Sequence, residues 1–234
     1  MIQAILFDFN GVIINDEPLH MKAYQEALRA EGIQLTDEEY FNSLGMDDQT
    51  FVRAAFARSG LPLDDEKMHA VIEGESKLHR VMIEDELPLV PGVVTFIKAA
   101  ARHYLLGIVS MSRRTQIDYV LDRVKLSDLF SAIISAEMIH ACKPDPECYN
   151  RGFLLVDEKR RAAGKLSLSP DECLVIEDAP PGIRAARAAG MHTLGVTNTV
   201  SADALRAAGA EVVTASLADW TTDTVHYIYD RAGR

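Results

Sequence analysis

Apolar residues in this chain follow two rhythms. Short continuous runs, each ended by a polar residue, alternate with stretches in which apolar positions recur every three or four residues. The first pattern predicts strands buried on both faces of a parallel sheet, the second amphipathic helices. The first run, Ala4 to Phe7, stops at Asp8 and leads into Asn10 and Gly11, as a buried strand delivering a carboxylate to a loop would. Residues 18–84 are almost entirely helical in pattern, with Leu19, Ala23, Ala27 and Ala30 on one spacing and Phe51, Ala54, Ala55 and Ala57 on another. Gly45, Gly60 and Pro62 divide this stretch into short helices.

Leu87-Pro88-Leu89-Val90-Pro91-Gly92 reads as a connector. Strict alternation follows: a helix near 92–102, a strand Tyr104–Ser110, a helix near 114–125 and a strand Ala132–Ser135. A helix from Pro146, a strand Glu172–Glu177, a helix from Gly182 and a strand His192–Val196 complete it. The fold class this predicts is α/β, a doubly wound parallel sheet (a Rossmann-like core) interrupted early by an inserted α-helical region.

Charge and cysteine usage narrow the setting. A formal net charge of −11 argues against non-specific binding to nucleic acid or an anionic membrane, though not against a local anion site. Cys142, Cys148 and Cys173 are odd in number and lack metal-like spacing, so reduced thiols are expected. Asp8 breaks the only apolar stretch near the N-terminus, and no basic leader or membrane span is read. A cytoplasmic protein is the expectation, as a monomer or alternatively a dimer.

Polar residues fall at the carboxyl ends of four strands. Asp8 follows the first, Ser110 ends the second, Lys143 lies a loop beyond the third, and Glu177-Asp178 close the fourth. In a doubly wound sheet those ends converge on one crevice. Three carboxylates, a hydroxyl and a lysine suit a phosphate monoester held between a divalent cation and an ammonium, with a carboxylate attacking phosphorus in line. Oxygen-only ligands favour Mg²⁺ over Zn²⁺.

Four ordered motifs carry a resemblance across almost the whole chain: Asp8-Phe9-Asn10-Gly11-Val12, Ile108-Val109-Ser110, Lys143-Pro144-Asp145-Pro146, and Glu177-Asp178-Ala179-Pro180-Pro181-Gly182-Ile183. Glu17-Pro18-Leu19-His20 fits the same spacing. The sequence resembles the haloacid dehalogenase superfamily, in the branch with a helical cap after the first motif that includes β-phosphoglucomutases and small-molecule phosphatases. The resemblance implies a catalytic core over 1–14 and 92–234 and a helical cap with hinge segments over 15–91. It implies Asp8 as a nucleophile forming an aspartyl-phosphate, Lys143 as the cation neutralising nucleophile and phosphoryl charge, and Ser110 as the hydroxyl orienting phosphoryl oxygens. It gives Mg²⁺ as cofactor, with Asp8, the Asn10 backbone carbonyl and Asp178 as ligands and Glu177 supporting the metal shell.

Asn10 departs from the family pattern, which normally has Asp there to protonate the leaving oxygen and then deprotonate the attacking water. Asn keeps the shape and the backbone ligand, but an amide does not shuttle a proton near neutral pH. The substrate-facing set implied by the resemblance is Gly11, Ser112 and Arg113 from the core, with His20, Asp47 and Lys77 from the cap. Ser112 and Arg113 equally read as a helix start, His20 as a structural histidine, and Lys77 as part of a solvated face. Asp48 occupies a place where glucose-phosphate mutases put a basic residue. Between Phe153 and Ser169, Lys159, Arg160, Arg161 and Lys165 read as a solvated loop, or alternatively as a docking surface for an acidic partner. The expected function is hydrolysis of a small phosphorylated metabolite. A hexose-phosphate mutase and a low-turnover phospho-ligand-binding protein are the alternatives.

Overall fold

In the computed structural model, which describes residues 1–230, the buried run Ala4–Phe7 forms β1. Four helices come next: α1 (Glu17–Ala30), α2 (Asp37–Phe41), α3 (Asp48–Ser59) and α4 (Asp65–Met82). Then α5 (Val93–Ala100), β2 (Leu105–Val109), α6 (Arg114–Val124), β3 (Ala132–Ile134) and α7 (Glu147–Ala162) follow. They lead to β4 (Cys173–Glu177), α8 (Pro180–Ala188), β5 (His192–Val196), α9 (Ala202–Ala207) and β6 (Val212–Thr214). The chain divides into two compact units, Met1–Asn15 with the chain from Leu89 onward, and Asp16–Pro88.

In the first unit the six strands are parallel and ordered β3-β2-β1-β4-β5-β6. Phe7 of β1 is level with Ile108 on one side and Ile176 on the other. The chain builds outward from β1 through β2 to β3, then returns to β1's other edge as β4. This reversal makes the carboxyl end of β1 the topological switch point, where α/β sheets open a crevice. Leu6, Val109, Ile134, Tyr149, Val156 and Val175 share one buried cluster, with α7 packed on β2 and β3.

The second unit has its own core. Tyr24 and Leu28 of α1 meet Phe51, Val52 and Phe56 of α3 and Val71 and Ile72 of α4. The Asp47 and Asp64 side chains cap α3 and α4 by accepting from Thr50 N (2.7 Å) and Lys67 N (2.8 Å), satisfying amides that lack helical partners. Among the described residues, no helix is long and apolar enough to cross a membrane.

Three expectations need correction. Helix α8 begins at Pro180 rather than Gly182, because proline is tolerated in a helix's first turn, where its missing N–H costs nothing. β6 was not foreseen, since Val212–Thr214 is short and only half-buried and so leaves no apolar run. The basic segment is only partly a solvated loop: Lys159, Arg160 and Arg161 lie in the last turn of α7, where cations complement the helix dipole, while Lys165 is exposed in the loop beyond it. The returning chain is tied down as well. Arg160 Nε donates to the Leu166 carbonyl (2.7 Å), and Asp157 accepts from Leu168 N (2.7 Å) and Arg161 Nε (3.0 Å).

Candidate active site

Asp8 leaves β1 with its amide still in the ladder, donating to the Ile176 carbonyl at 2.9 Å. Its carboxylate therefore emerges beside the end of β4, where Glu177 and Asp178 are buried. Lys143 Nζ bridges the two strands, 3.0 Å from Asp8 Oδ1 and 2.6 Å from Glu177 Oε1, and it also donates to the Val109 carbonyl at 3.4 Å. The ammonium lies 5.2 Å from the centre of the Tyr149 ring, whose hydroxyl donates to Glu177 Oε1 at 2.7 Å.

Glu177 is thus fully engaged. Its Oε1 takes Lys143 and Tyr149, and its Oε2 accepts from the amides of Asp178 (3.1 Å) and Ala179 (3.3 Å). Although its oxygens fall with those of Asp8 and Asp178 within 4.8 Å of one another, its partners give it the work of holding Lys143.

The space around Glu177 is equally constrained. A Cβ on Gly182 would fall 1.7 Å from Glu177 Oε1, so α8 can approach β4 only without a side chain there. Gly182→Ala is expected to cost about 1–3 kcal/mol of stability through overpacking. Urea unfolding would measure it, and unchanged stability would contradict the close approach.

Electrostatics follow from burial and charge. Burial and the negative charge of Glu177 push the Asp8 carboxyl up to about 7, against the pull of Lys143. Burial alone would lower the Lys143 ammonium, but Asp8 and Glu177 override it and hold its pKa above the ordinary lysine range. Burial and Glu177 also raise the Tyr149 phenol well above its usual range, so Tyr149 stays a donor. A raised carboxyl in an acidic cluster marks a shortage of positive charge. Asp8, Glu177 and Asp178 together offer an all-oxygen donor set of the kind that fits a hard cation such as Mg²⁺.

On the neighbouring loops Ser110 is buried, and its Oγ accepts from the Ser112 amide at 3.0 Å. Ser112 Oγ donates to Asn10 Oδ1 at 2.5 Å, joining two segments 102 residues apart. Gly11 has φ +70°, and a Cβ there would lie 1.8 Å from Asp178 Oδ2. Its carbonyl accepts from Asn198 Nδ2 at 2.7 Å.

Residues 2–190 match the sequence pattern of the haloacid dehalogenase-like hydrolases. The chain belongs to that family. Hexitol phosphatase B of Escherichia coli (strain K12) is 29% identical over 94% of this chain and 95% of its own length. The fructose-1-phosphate phosphatase of the same strain is 28% identical over 82% and 95%. Among solved structures, a β-phosphoglucomutase from Clostridium difficile superposes with a TM-score of 0.85 at 21% identity, covering 99% of both chains. This chain is accordingly a hydrolase of the haloacid dehalogenase-like family.

Within that family frame, the first unit brings Asp8, Asn10, Gly11, Ser110, Ser112, Lys143, Glu177 and Asp178 to the switch point. Arg113 stands at the start of α6, its amide donating to Gln116 Oε1 at 2.9 Å. In the helical unit Lys77 is exposed on α4, and Asp47 caps α3. His20 is drawn into a buried cluster with Asp16 and Glu75. Asp48 accepts from the Tyr24 hydroxyl at 2.5 Å. Sequence reasoning missed Tyr149 and Asn198. Asn198 sits just beyond β5, so reading the carboxyl end of the fifth strand as well as the other four would have found it. Tyr149 lies in the first turn of the helix that follows the Lys143-Pro144 motif.

Proposed function

We propose that the chain hydrolyses the phosphate monoester of a small sugar or polyol through an aspartyl-phosphate on Asp8, slowly because Asn10 stands in the acid–base position. The observation that carries this reading is the Lys143 bridge between Asp8 and Glu177, beside Asp178, at the switch point. The names of the phosphatase relatives support the substrate class.

Asp8 Oδ attacks phosphorus as the ester P–O bond breaks, and the ester oxygen departs needing a proton. Lys143 balances the charge of nucleophile and phosphoryl group, and the Ser110 hydroxyl orients phosphoryl oxygens. When bound, Mg²⁺ adds positive charge beside the phosphoryl oxygens. Water then attacks phosphorus, breaking the Asp8–phosphorus bond and releasing inorganic phosphate. The Asn10 amide hydrogen-bonds but neither gives a proton to the leaving oxygen nor takes one from water. Asp48, held by the Tyr24 hydroxyl, is an acidic group where a glucose-phosphate mutase would put a basic residue, which favours hydrolysis over phosphoryl return.

Phosphate release from a panel of sugar and polyol phosphates with Mg²⁺, by this chain and by Asn10→Asp, tests the reading. No release by either protein from any ester, with no phosphoryl adduct, would overturn it in favour of a binding protein.

The metal reading has its own test. Mg²⁺ must displace a proton from Asp8, so its affinity in isothermal titration is expected to fall about tenfold per pH unit below about 7. Asp178→Ala is expected to weaken binding strongly, and unchanged affinity would refute the site. Without metal the sign for stability is opposite to the usual carboxylate case. The folded pKa lies above the ordinary aspartate value of 3.8, so Asp8's contribution is fully present below that value and is lost as pH climbs to about 7.

A further inference from the structure

The helical unit buries a second set of charged groups that this chemistry does not use. Asp16 precedes α1, His20 sits in its first turn, and Glu75 and His79 lie one turn apart on α4. Asp16, Glu75 and His79 are 1%, 0% and 4% exposed. Asp16 Oδ2 lies 3.4 Å from His20 Nε2 and 3.1 Å from His79 Nε2, and the three donor atoms fall within 4.8 Å of one another. His20 Nδ1 bonds to Glu75 Oε1 at 2.7 Å, and the two imidazoles stack 3.7 Å apart at 13°.

We propose that Asp16, His20 and His79 form a binding site for a first-row divalent cation of the Zn²⁺ type, independent of the acidic group around Asp8. Ligands about 2.0–2.2 Å from Zn²⁺ stand roughly 3.3–3.6 Å apart in a tetrahedron, close to the spacings around Asp16 Oδ2. Two imidazoles and a carboxylate select such ions over Mg²⁺. Glu75 supplies the carboxylate that metal-bound histidines use on their other nitrogen to fix tautomer and ring orientation.

The charge pattern asks for a cation as well. Two buried carboxylates face the rings, and protonating both stacked imidazoles would set two positive charges against each other. One divalent ion meets the same charge at the Asp16 side, with the parallel rings splaying to converge on it. His20 keeps 12% of its side chain exposed, which leaves an entry route.

The test uses tag-free full-length protein in saturating Mg²⁺, titrated with Co²⁺ and followed by visible d–d absorption, then displaced with Zn²⁺. One equivalent of Co²⁺ is expected, with Zn²⁺ raising the unfolding midpoint. His79→Gln and Asp16→Asn should weaken Co²⁺ binding at least about tenfold, and Glu75→Gln by about 10–100-fold as an outer-shell change. Asp8→Asn and Asp178→Asn should leave it unchanged. Absence of the Co²⁺ spectrum, equal affinity in a folded His79→Gln or Glu75→Gln, or loss in Asp178→Asn would each overturn the proposal. None of these outcomes bears on the phosphatase reading.

Discussion

Replacing Lys143 with methionine is expected to destabilise the fold by about 3–5 kcal/mol, the usual cost of removing one partner from a buried ion pair. Lys143 is 6% exposed and touches two carboxylates, so its loss leaves Glu177, at 0% exposure, facing Asp8 with no cation between them. Burial and Glu177 already push the Asp8 carboxyl up to about 7 with the ammonium present, and removing the ammonium pushes it further toward the protonated form. Phosphoryl transfer should therefore fall by about 10²–10³-fold, as when one donor to developing charge is deleted. Adding Glu177→Gln to Lys143→Met should recover part of the stability, because the stranded charge is gone, but none of the activity. Urea unfolding of the two single variants and the double would show this coupling. Additive effects would mean that Lys143 and Glu177 do not act as a pair.

What the sequence revealed, and what it hid, follows from the range of the interactions involved. Asp8 was legible because an apolar run ends on it, and the register of β1 against β2 and β4 then fixes where it must emerge. The Lys143 contacts were not legible, since an ammonium 34 residues from Glu177 gains its meaning only when α7 packs against the sheet. Glu177 and Asp178 are adjacent in sequence yet differ in role, because the turn after β4 gives Glu177 two backbone amides as well as Lys143. That distinction belongs to backbone geometry, which residue types do not encode. The same holds in the helical unit: Glu75 and His79 have the one-turn spacing of a helix face, but only the packing of α1 on α4 sets them against Asp16 and His20.

Asn10 should make the phosphorylated form of this protein long-lived. A reactive acyl phosphate carries a leaving group that departs without an acid, so Asp8 should become phosphorylated when the chain is mixed with one in Mg²⁺. The second step has no such relief, because water attack on the aspartyl-phosphate needs a base that an amide does not provide. Ser112 sharpens the point: its hydroxyl donates to Asn10 Oδ1 at 2.5 Å, which orients the side chain as a hydrogen-bonding group within the site. Asn10→Asp keeps an oxygen for Ser112 and adds one that exchanges a proton. Mass spectrometry is expected to show a persistent phosphoryl adduct on Asp8 in this chain, shortened in lifetime by about 10²-fold or more in Asn10→Asp. Asp8→Asn should abolish the adduct in either background. Rapid turnover by the unaltered chain would mean that another group supplies the proton. Equal adduct lifetimes in both proteins would show that water activation never depended on position 10.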